Sequence, residues 1–298
     1  MESVSFIGLG AMGGAMAGKL ADQFDLVVFD LDPTKAAAVK GKRVTIAASV
    51  AEAVKPGGVL LTMLPNDDAV LAVAAGDDGA AARLGRGGLH INTSTVSPQA
   101  SRTLSALYEA CGGTYLAAPV WGRPPSAASG KLVCSLAGPA QAKQRARIYL
   151  DALSLKIQDF GEEPYQANVA KIVGNFLVAS AIEALGEGLT IAEKHGLDRH
   201  TLVELLVSTI FDCRIYNIYG PLIAAQASGP AGFTAELGRK DLGLIREVAA
   251  EVGVPVPFQN IIENRLTTTI AKGRGKEDWS ALSWLAAEDA GLTRPVSS

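Results

Sequence analysis

Val4-Ser5-Phe6-Ile7-Gly8-Leu9-Gly10-Ala11-Met12-Gly13 opens the chain with a short apolar run that enters a Gly-x-Gly-x-x-Gly turn. Residues 3–8 read as a buried strand, and residues 11–21 as a helix with Met16 and Leu20 on one face. The next run, Asp25-Leu26-Val27-Val28-Phe29-Asp30, reads as a second strand ending on a carboxylate. In that setting each glycine has its own task. Gly8 permits the tight turn, Gly10 lets the backbone approach a pyrophosphate, and Gly13 allows close helix–strand packing. Leu9, Ala11 and Met12 complete the turn, and the helix N-terminus offers free N–H groups and a positive dipole end to phosphates. Strand, turn, helix and carboxylate together imply a dinucleotide site; the alternative is a glycine-rich turn with no ligand.

Asp30 bears on which dinucleotide is held. A carboxylate there accepts hydrogen bonds from the adenine ribose hydroxyls. It repels a 2′-phosphate by about 4 kcal/mol per charge at ~4 Å and effective ε ~20, before screening. Leu31, Asp32 and Pro33 follow, with no arginine among them. NAD is therefore expected, with NADP possible.

Working outward, Val59-Leu60-Leu61-Thr62-Met63-Leu64 stops at Pro65, and Gly88-Leu89-His90-Ile91-Asn92 stops at Thr93-Ser94. Apolar strands alternating with helices mark a parallel sheet covered on both faces. His90, inside such a strand, reads more readily as a hydrogen-bonded core histidine than as a catalytic one. From about Gly161 the pattern changes. Residues 169–194 contain no proline and are apolar on almost every face, so a helix buried on all sides is expected there, long enough to serve as a spine between domains or subunits. Helical patterns continue at 198–210, 234–252 and 258–272 without a clear strand. The expected organisation is an α/β dinucleotide-binding domain over 1–161 and an all-α domain over 162–298 that begins with the spine.

Composition excludes several classes. The chain has 298 residues, 27 Lys+Arg against 30 Asp+Glu, and a formal net charge of −3, which gives no whole-chain reason to expect nucleic acid or a membrane as partner. Cys111, Cys134 and Cys213 form neither a disulfide framework nor a zinc knuckle, and His90, His195 and His200 show no metal-ligand spacing. No uninterrupted apolar run reaches the roughly 18 residues of a membrane span, and the first residues lack the pattern of a signal peptide. A metal-free cytoplasmic enzyme is expected. The long apolar helix points to a homodimer or homotetramer.

One ionisable residue is oddly placed. Lys171 lies in the apolar helix with Asn168 one turn back and Asn175 one turn on, all projecting to nearly the same side. Facing a polar cavity, such a lysine would have its pKa lowered toward the range useful for proton transfer. The alternative is a lysine at the helix's exposed start, snorkelling to solvent.

At this point the chain resembles the β-hydroxyacid dehydrogenases, over nearly its full length. Phe6-Ile7-Gly8-Leu9-Gly10-Ala11-Met12-Gly13 matches the family's cofactor signature, and Thr62-Met63-Leu64-Pro65 a strand end on the cofactor side. Asn92-Thr93-Ser94-Thr95-Val96-Ser97-Pro98 matches its substrate-side segment. Lys171-Ile172-Val173-Gly174-Asn175 matches the catalytic helix, with Gly174 where the family has its first asparagine. Lys240-Asp241-Leu242 and Gly275-Lys276-Glu277-Asp278-Trp279-Ser280-Ala281 match two C-terminal motifs. The resemblance implies a Rossmann domain, a long interdomain helix and an all-α domain. It also implies hydride transfer between a nicotinamide and a small, carboxylate-bearing substrate. By resemblance, Lys171 is the general acid–base and Asn175 orients substrate. Ser94 and Thr95 lie near substrate and nicotinamide ribose, Leu64 and Pro65 belong to the cofactor site, and Lys240 closes over the cofactor.

The family's small-residue substrate loop appears here as Ala118-Pro119-Val120-Trp121-Gly122-Arg123-Pro124-Pro125. Arg123 can replace a backbone grip with a bidentate bond to an acidic substrate, Trp121 can wall a reshaped pocket, or Arg123 can be an ordinary surface ion-pair partner. Trp121, Gly122 and Arg123 are thus candidate substrate contacts. Two other readings stay open at this stage: an imine reductase of the same fold, and a non-catalytic dinucleotide-binding protein. In the Phe211-Asp212-Cys213 stretch with Tyr216 and Tyr219, aromatic spacing reads more readily as core, and Phe211 and Asp212 are soft candidates for substrate contact.

Overall fold

The computed structural model describes residues 4–39, 41, 43–226 and 231–293; Ser3, assigned above to the first strand, lies outside them. Contacts divide the chain into two compact units, Met1–Lys171 and Ile172–Ser298.

In the first unit, β1 (Val4–Ile7), β2 (Leu26–Phe29), β3 (Val44–Ile46), β4 (Val59–Thr62), β5 (Leu89–Asn92) and β6 (Thr114–Ala117) form a parallel sheet in the order β3-β2-β1-β4-β5-β6. This is the doubly wound order, whose switch point lies between β1 and β4. The connecting helices are α1 (Ala11–Leu20), α2 (Pro33–Ala38), α3 (Val50–Ala53), α4 (Asp67–Ala74), α5 (Ala80–Leu84) and α6 (Pro98–Ala110). Because strand side chains alternate, one sheet supplies two cores. Val4, Phe6, Val28, Leu61 and Ile91 face one. Ile7, Leu60, Tyr115 and Ala117 face the other. A second sheet contains β7 (Val120–Trp121), β8 (Leu132–Leu136) and β9 (Ser154–Asp159), with α7 (Pro124–Ala128) and α8 (Ala140–Leu153) between its strands. Its strands were not anticipated. β7 is two residues long and β9 follows α8 without a break, so neither gives a bounded apolar run.

α9 (Tyr165–Lys194) begins four residues earlier than its apolar pattern suggested, directly after Pro164, a residue suited to a helix's first turn. The division between the units falls inside it. In the second unit, α9 carries Ile172, Ala179, Ile182 and Leu189 into a core shared with α11 (Arg214–Ala225), α12 (Ala235–Glu251) and α13 (Pro257–Thr269). α10 (Arg199–Val207) and α14 (Trp284–Asp289) complete the unit, and among the described residues it contains no strand. The expectation of burial on all sides is corrected: Leu177 and Ile191 are 56% and 62% exposed, because within one chain only the stripe at heptad spacing finds partners. The membrane expectation also needs amendment, since scattered polar residues broke the apolar run but not its average. α9 has a window of mean hydropathy 1.5 and is long and apolar enough to cross a bilayer by length and composition. α11 was missed because Pro221 lies within it.

His90 is a core residue. The Thr62 hydroxyl donates to Asn92 Oδ1 (3.0 Å), so His90 Nε2, 2.8 Å from Thr62 Oγ1, is the donor there. Its Nδ1 is buried without a partner, and the ring packs on Tyr108 and Tyr115. An imidazolium would bury a second N–H with nothing to accept it. Burial pushes the pKa from 6.5 down to about 3. Below pH 6.5 the unfolded chain takes up this proton and the folded chain does not, so stability falls as pH drops from 6.5 toward 3. His90→Gln should flatten that fall by up to about 1.4 kcal/mol per pH unit in denaturant titrations. Parallel pH profiles for variant and parent would contradict the assignment.

Candidate functional site

At the C-terminal ends of β1 and β2 the glycine turn closes on itself. Gly8 has φ +92°, and a Cβ built on it would lie 2.4 Å from the Met63 carbonyl oxygen. A Cβ on Gly13 would lie 1.9 Å from the Gly8 carbonyl oxygen. Only glycine lets α1 start this close to β1. Gly10, at the helix N-cap, has nothing within 4 Å of its Cβ position, so its backbone is open to an approaching group. A groove of about 310 Å³ runs past Leu9, Gly10, Ala11, Gly14, Lys35 and Val39, where the unpaired N–H groups of the first turn of α1 are available to an anion. These residues fit a dinucleotide pyrophosphate.

Asp30 holds this turn. Its Oδ2 accepts from the Leu9 N–H at 2.6 Å and its Oδ1 from the Asp32 N–H at 2.9 Å. Lys35 Nζ stands 3.8 Å from Asp30 Oδ1 and 3.9 Å from Asp32 Oδ2. The sequence reading looked for an arginine directly after Asp30 and missed this lysine, which α2 returns to the carboxylates one turn later. Two acids and one base meet there, leaving the corner formally negative.

The strand ends of β4 and β5 are tied by the predicted residues. Ser94, fully buried, accepts from the Leu64 N–H at 2.8 Å and donates its own N–H to Asn92 Oδ1 at 3.0 Å. Pro65 is exposed and Thr95 half-buried beside them. The hydroxyl hydrogen of Ser94 is left to donate.

Trp121 and Lys171 meet. The Lys171 ammonium lies 4.4 Å from the centroid of the indole ring. Trp121 Nε1 donates to Ser135 Oγ at 2.7 Å, and Ser135 is buried on β8, whose register pairs Val133 with Trp121. Gly122 follows at φ +142°, turning the chain toward half-buried Arg123, the N-cap of α7. Lys171 is therefore half-buried against a ring rather than free at the helix start. One turn before it, Asn168 is fully buried, and neither its Nδ2 nor its Oδ1 has a hydrogen-bond partner. A buried amide left this way costs about 1–3 kcal/mol per group, so it suits a position completed by a bound polar molecule.

In the helical unit, Asn175 is buried on α9 and donates from Nδ2 to Asp241 Oδ2 at 2.5 Å. Asp241 is buried on α12, and its Oδ1 lies 2.6 Å from Lys240 Nζ. This fixes the flip of the Asn175 amide: its Oδ1 is presented as an acceptor beside one remaining N–H. Sequence reasoning assigned Asp241 no role, although the Lys-Asp-Leu motif contains it. Phe211 and Asp212 serve locally. The Phe211 ring packs on Tyr216, and Asp212 accepts from Asn217 Nδ2 at 2.9 Å, shaping the start of α11. Tyr219 accepts from Trp279 Nε1 in the core. Among the described residues no group of three or more His, Cys, Asp or Glu side chains could hold a metal ion.

Residues 3–161 match the NAD binding domain of 6-phosphogluconate dehydrogenase. Residues 166–285 match the NAD-binding domain of NADP-dependent 3-hydroxyisobutyrate dehydrogenase. An uncharacterized oxidoreductase of Bacillus subtilis is 38% identical over 94% of this chain and 98% of that protein. The NAD-dependent L-serine dehydrogenase of Pseudomonas aeruginosa is 30% identical over 96% of this chain and 98% of its own length. The structure of Mycobacterium tuberculosis 3-hydroxyisobutyrate dehydrogenase with L-serine superposes with a TM-score of 0.83 at 28% identity, covering 96% of this chain and 99% of that one. With its doubly wound sheet, long helix and helical C-terminal unit, the chain belongs to the β-hydroxyacid dehydrogenase family, NAD(P)-dependent oxidoreductases of small hydroxyacids.

Proposed function

We propose that this enzyme uses Lys171 as its general acid–base on a small hydroxyacid or the matching carbonyl compound, with NAD(H) preferred over NADP(H). The observation that carries the reading is the placement of Lys171: an amine half-buried against an indole, one turn from an unsatisfied buried amide and one turn from Asn175. When bound, the nicotinamide supplies or accepts the hydride at the substrate carbon. The chain then has to move one proton at the substrate oxygen. Lys171 Nζ donates it in reduction and, as the neutral amine, accepts it in oxidation. Asn175, its amide fixed by Asp241, orients the substrate through its Oδ1 and remaining N–H. Ser94 and Thr95 line the cofactor and substrate side of β5, with Gly8 to Gly13, Leu64 and Pro65 on the cofactor's path.

The reading includes a carboxylate on the substrate, for which Arg123, half-buried at the start of α7, is the candidate cationic partner. The names of the relatives support this, since L-serine and 3-hydroxyisobutyrate are both small carboxylates with an alcohol. By the family resemblance, Lys240, paired with Asp241, is the residue assigned to close over the cofactor.

The negative corner of Asp30, Asp32 and Lys35 supports NAD, because a 2′-phosphate adds charge where two carboxylates already stand. Nucleotide fluorescence titrations should show NADH binding at least about tenfold more tightly than NADPH. Equal affinities would remove the charge argument.

The reading of Lys171 is tested with a panel of 3-hydroxyisobutyrate, L-serine, related semialdehydes and cyclic imines. Lys171→Ala should lower kcat on every accepted substrate by about 10²–10⁴-fold, with NADH binding retained. Undiminished turnover, or activity confined to the imines, would refute it.

A further inference from the structure

Trp121 stands where the family's substrate loop carries a small residue, and its ring does something a small residue does not. The indole face is negative, and at 4.4 Å it attracts an ammonium while offering little to a neutral amine. The ring cannot easily turn away. Its Nε1 is committed to buried Ser135, its backbone is paired on β8, and at Gly122 a Cβ would lie 2.7 Å from Leu132. The face that Lys171 meets is therefore fixed before any substrate arrives.

We infer that Trp121 is a positioning residue which holds Lys171 as the ammonium, and so sets the enzyme to donate a proton to a carbonyl oxygen. This rests on the reading of Lys171 as general acid–base. In reduction, hydride bonds to the carbonyl carbon, the C=O π pair moves to oxygen, and that oxygen takes a proton from Lys171 Nζ. An alcohol, an oxidised nicotinamide and a neutral amine result, and water reprotonates the amine. Oxidation needs Lys171 neutral at the outset, the form the indole disfavours.

Ionisable groups on the neighbouring elements of this unit have states or partners of their own. On α9 the nearest in sequence is Tyr165, whose ring is occupied by Arg102. On β8 it is Cys134, whose thiol burial keeps neutral by pushing its pKa up to about 12. After β7 it is Arg123, a cation, and α7 has none.

The test needs no substrate. Lysines of the full-length protein are labelled by ¹³C reductive methylation, the Lys171 resonance is identified by its loss in Lys171→Arg, and its titration midpoint is read by NMR. Trp121→Leu should lower the midpoint by about half to one pH unit, and Trp121→Phe, which restores an aromatic face, should recover most of that shift. A titration in Trp121→Leu that overlies the parent would overturn the inference, as would equal shifts in both variants. Intact folding is checked by NADH binding in each. If the midpoints move as stated but Lys171→Ala turns over normally, the indole contact stands and the general acid–base reading falls, so the two failures are distinguishable.

Discussion

The cofactor end of this enzyme depends on a contact that no residue but glycine permits. α1 begins so close to β1 that a single methyl group on Gly13 would lie inside the Gly8 carbonyl. That closeness exposes the first N–H groups of α1 beside Gly10 and leaves a groove along the helix start. It also brings the Leu9 N–H within reach of Asp30, so this carboxylate is itself part of the turn's structure. The charge at this corner and the geometry of the turn are consequently coupled. Replacing Asp30 removes a repulsive charge and the anchor of the loop together.

The start of α9 handles its polar groups in a different way. Among mostly apolar neighbours, α9 buries Asn168 and Asn175 and half-buries Lys171, and each is treated differently. Asn175 is satisfied by a carboxylate, Lys171 lies against a ring, and Asn168 has neither polar atom satisfied. Buried polar groups are costly unless paired, so the unsatisfied amide of Asn168 is the member of this stripe that works against stability.

Much of this was legible in the sequence because it is local. Gly8 to Gly13, the strand ending at Asp30 and the all-helical second half are patterns within short windows, and the sheet order and helical unit agree with them. Lys171 stood out for the same reason, as the one charge in the first half of an apolar helix. What stayed hidden is tertiary. The hydrogen bond from Asn175 to Asp241 joins residues 66 positions apart, and the one from Trp121 to Ser135 spans a pairing with β7, a two-residue strand too short to show a pattern. The exposure of Leu177 and Ile191 could not be read either, since periodicity shows which residues are apolar and not which of them find partners.

The most direct measurement of whether Lys171 carries the proton is chemical rescue of Lys171→Ala by small primary amines, using the substrate turned over fastest by the parent enzyme. Methylamine and ethylamine should restore carbonyl reduction in a concentration-dependent way, with the rescued rate following the fraction of amine present as ammonium. A variant whose rate is indifferent to added amine at every pH would contradict proton donation from this position.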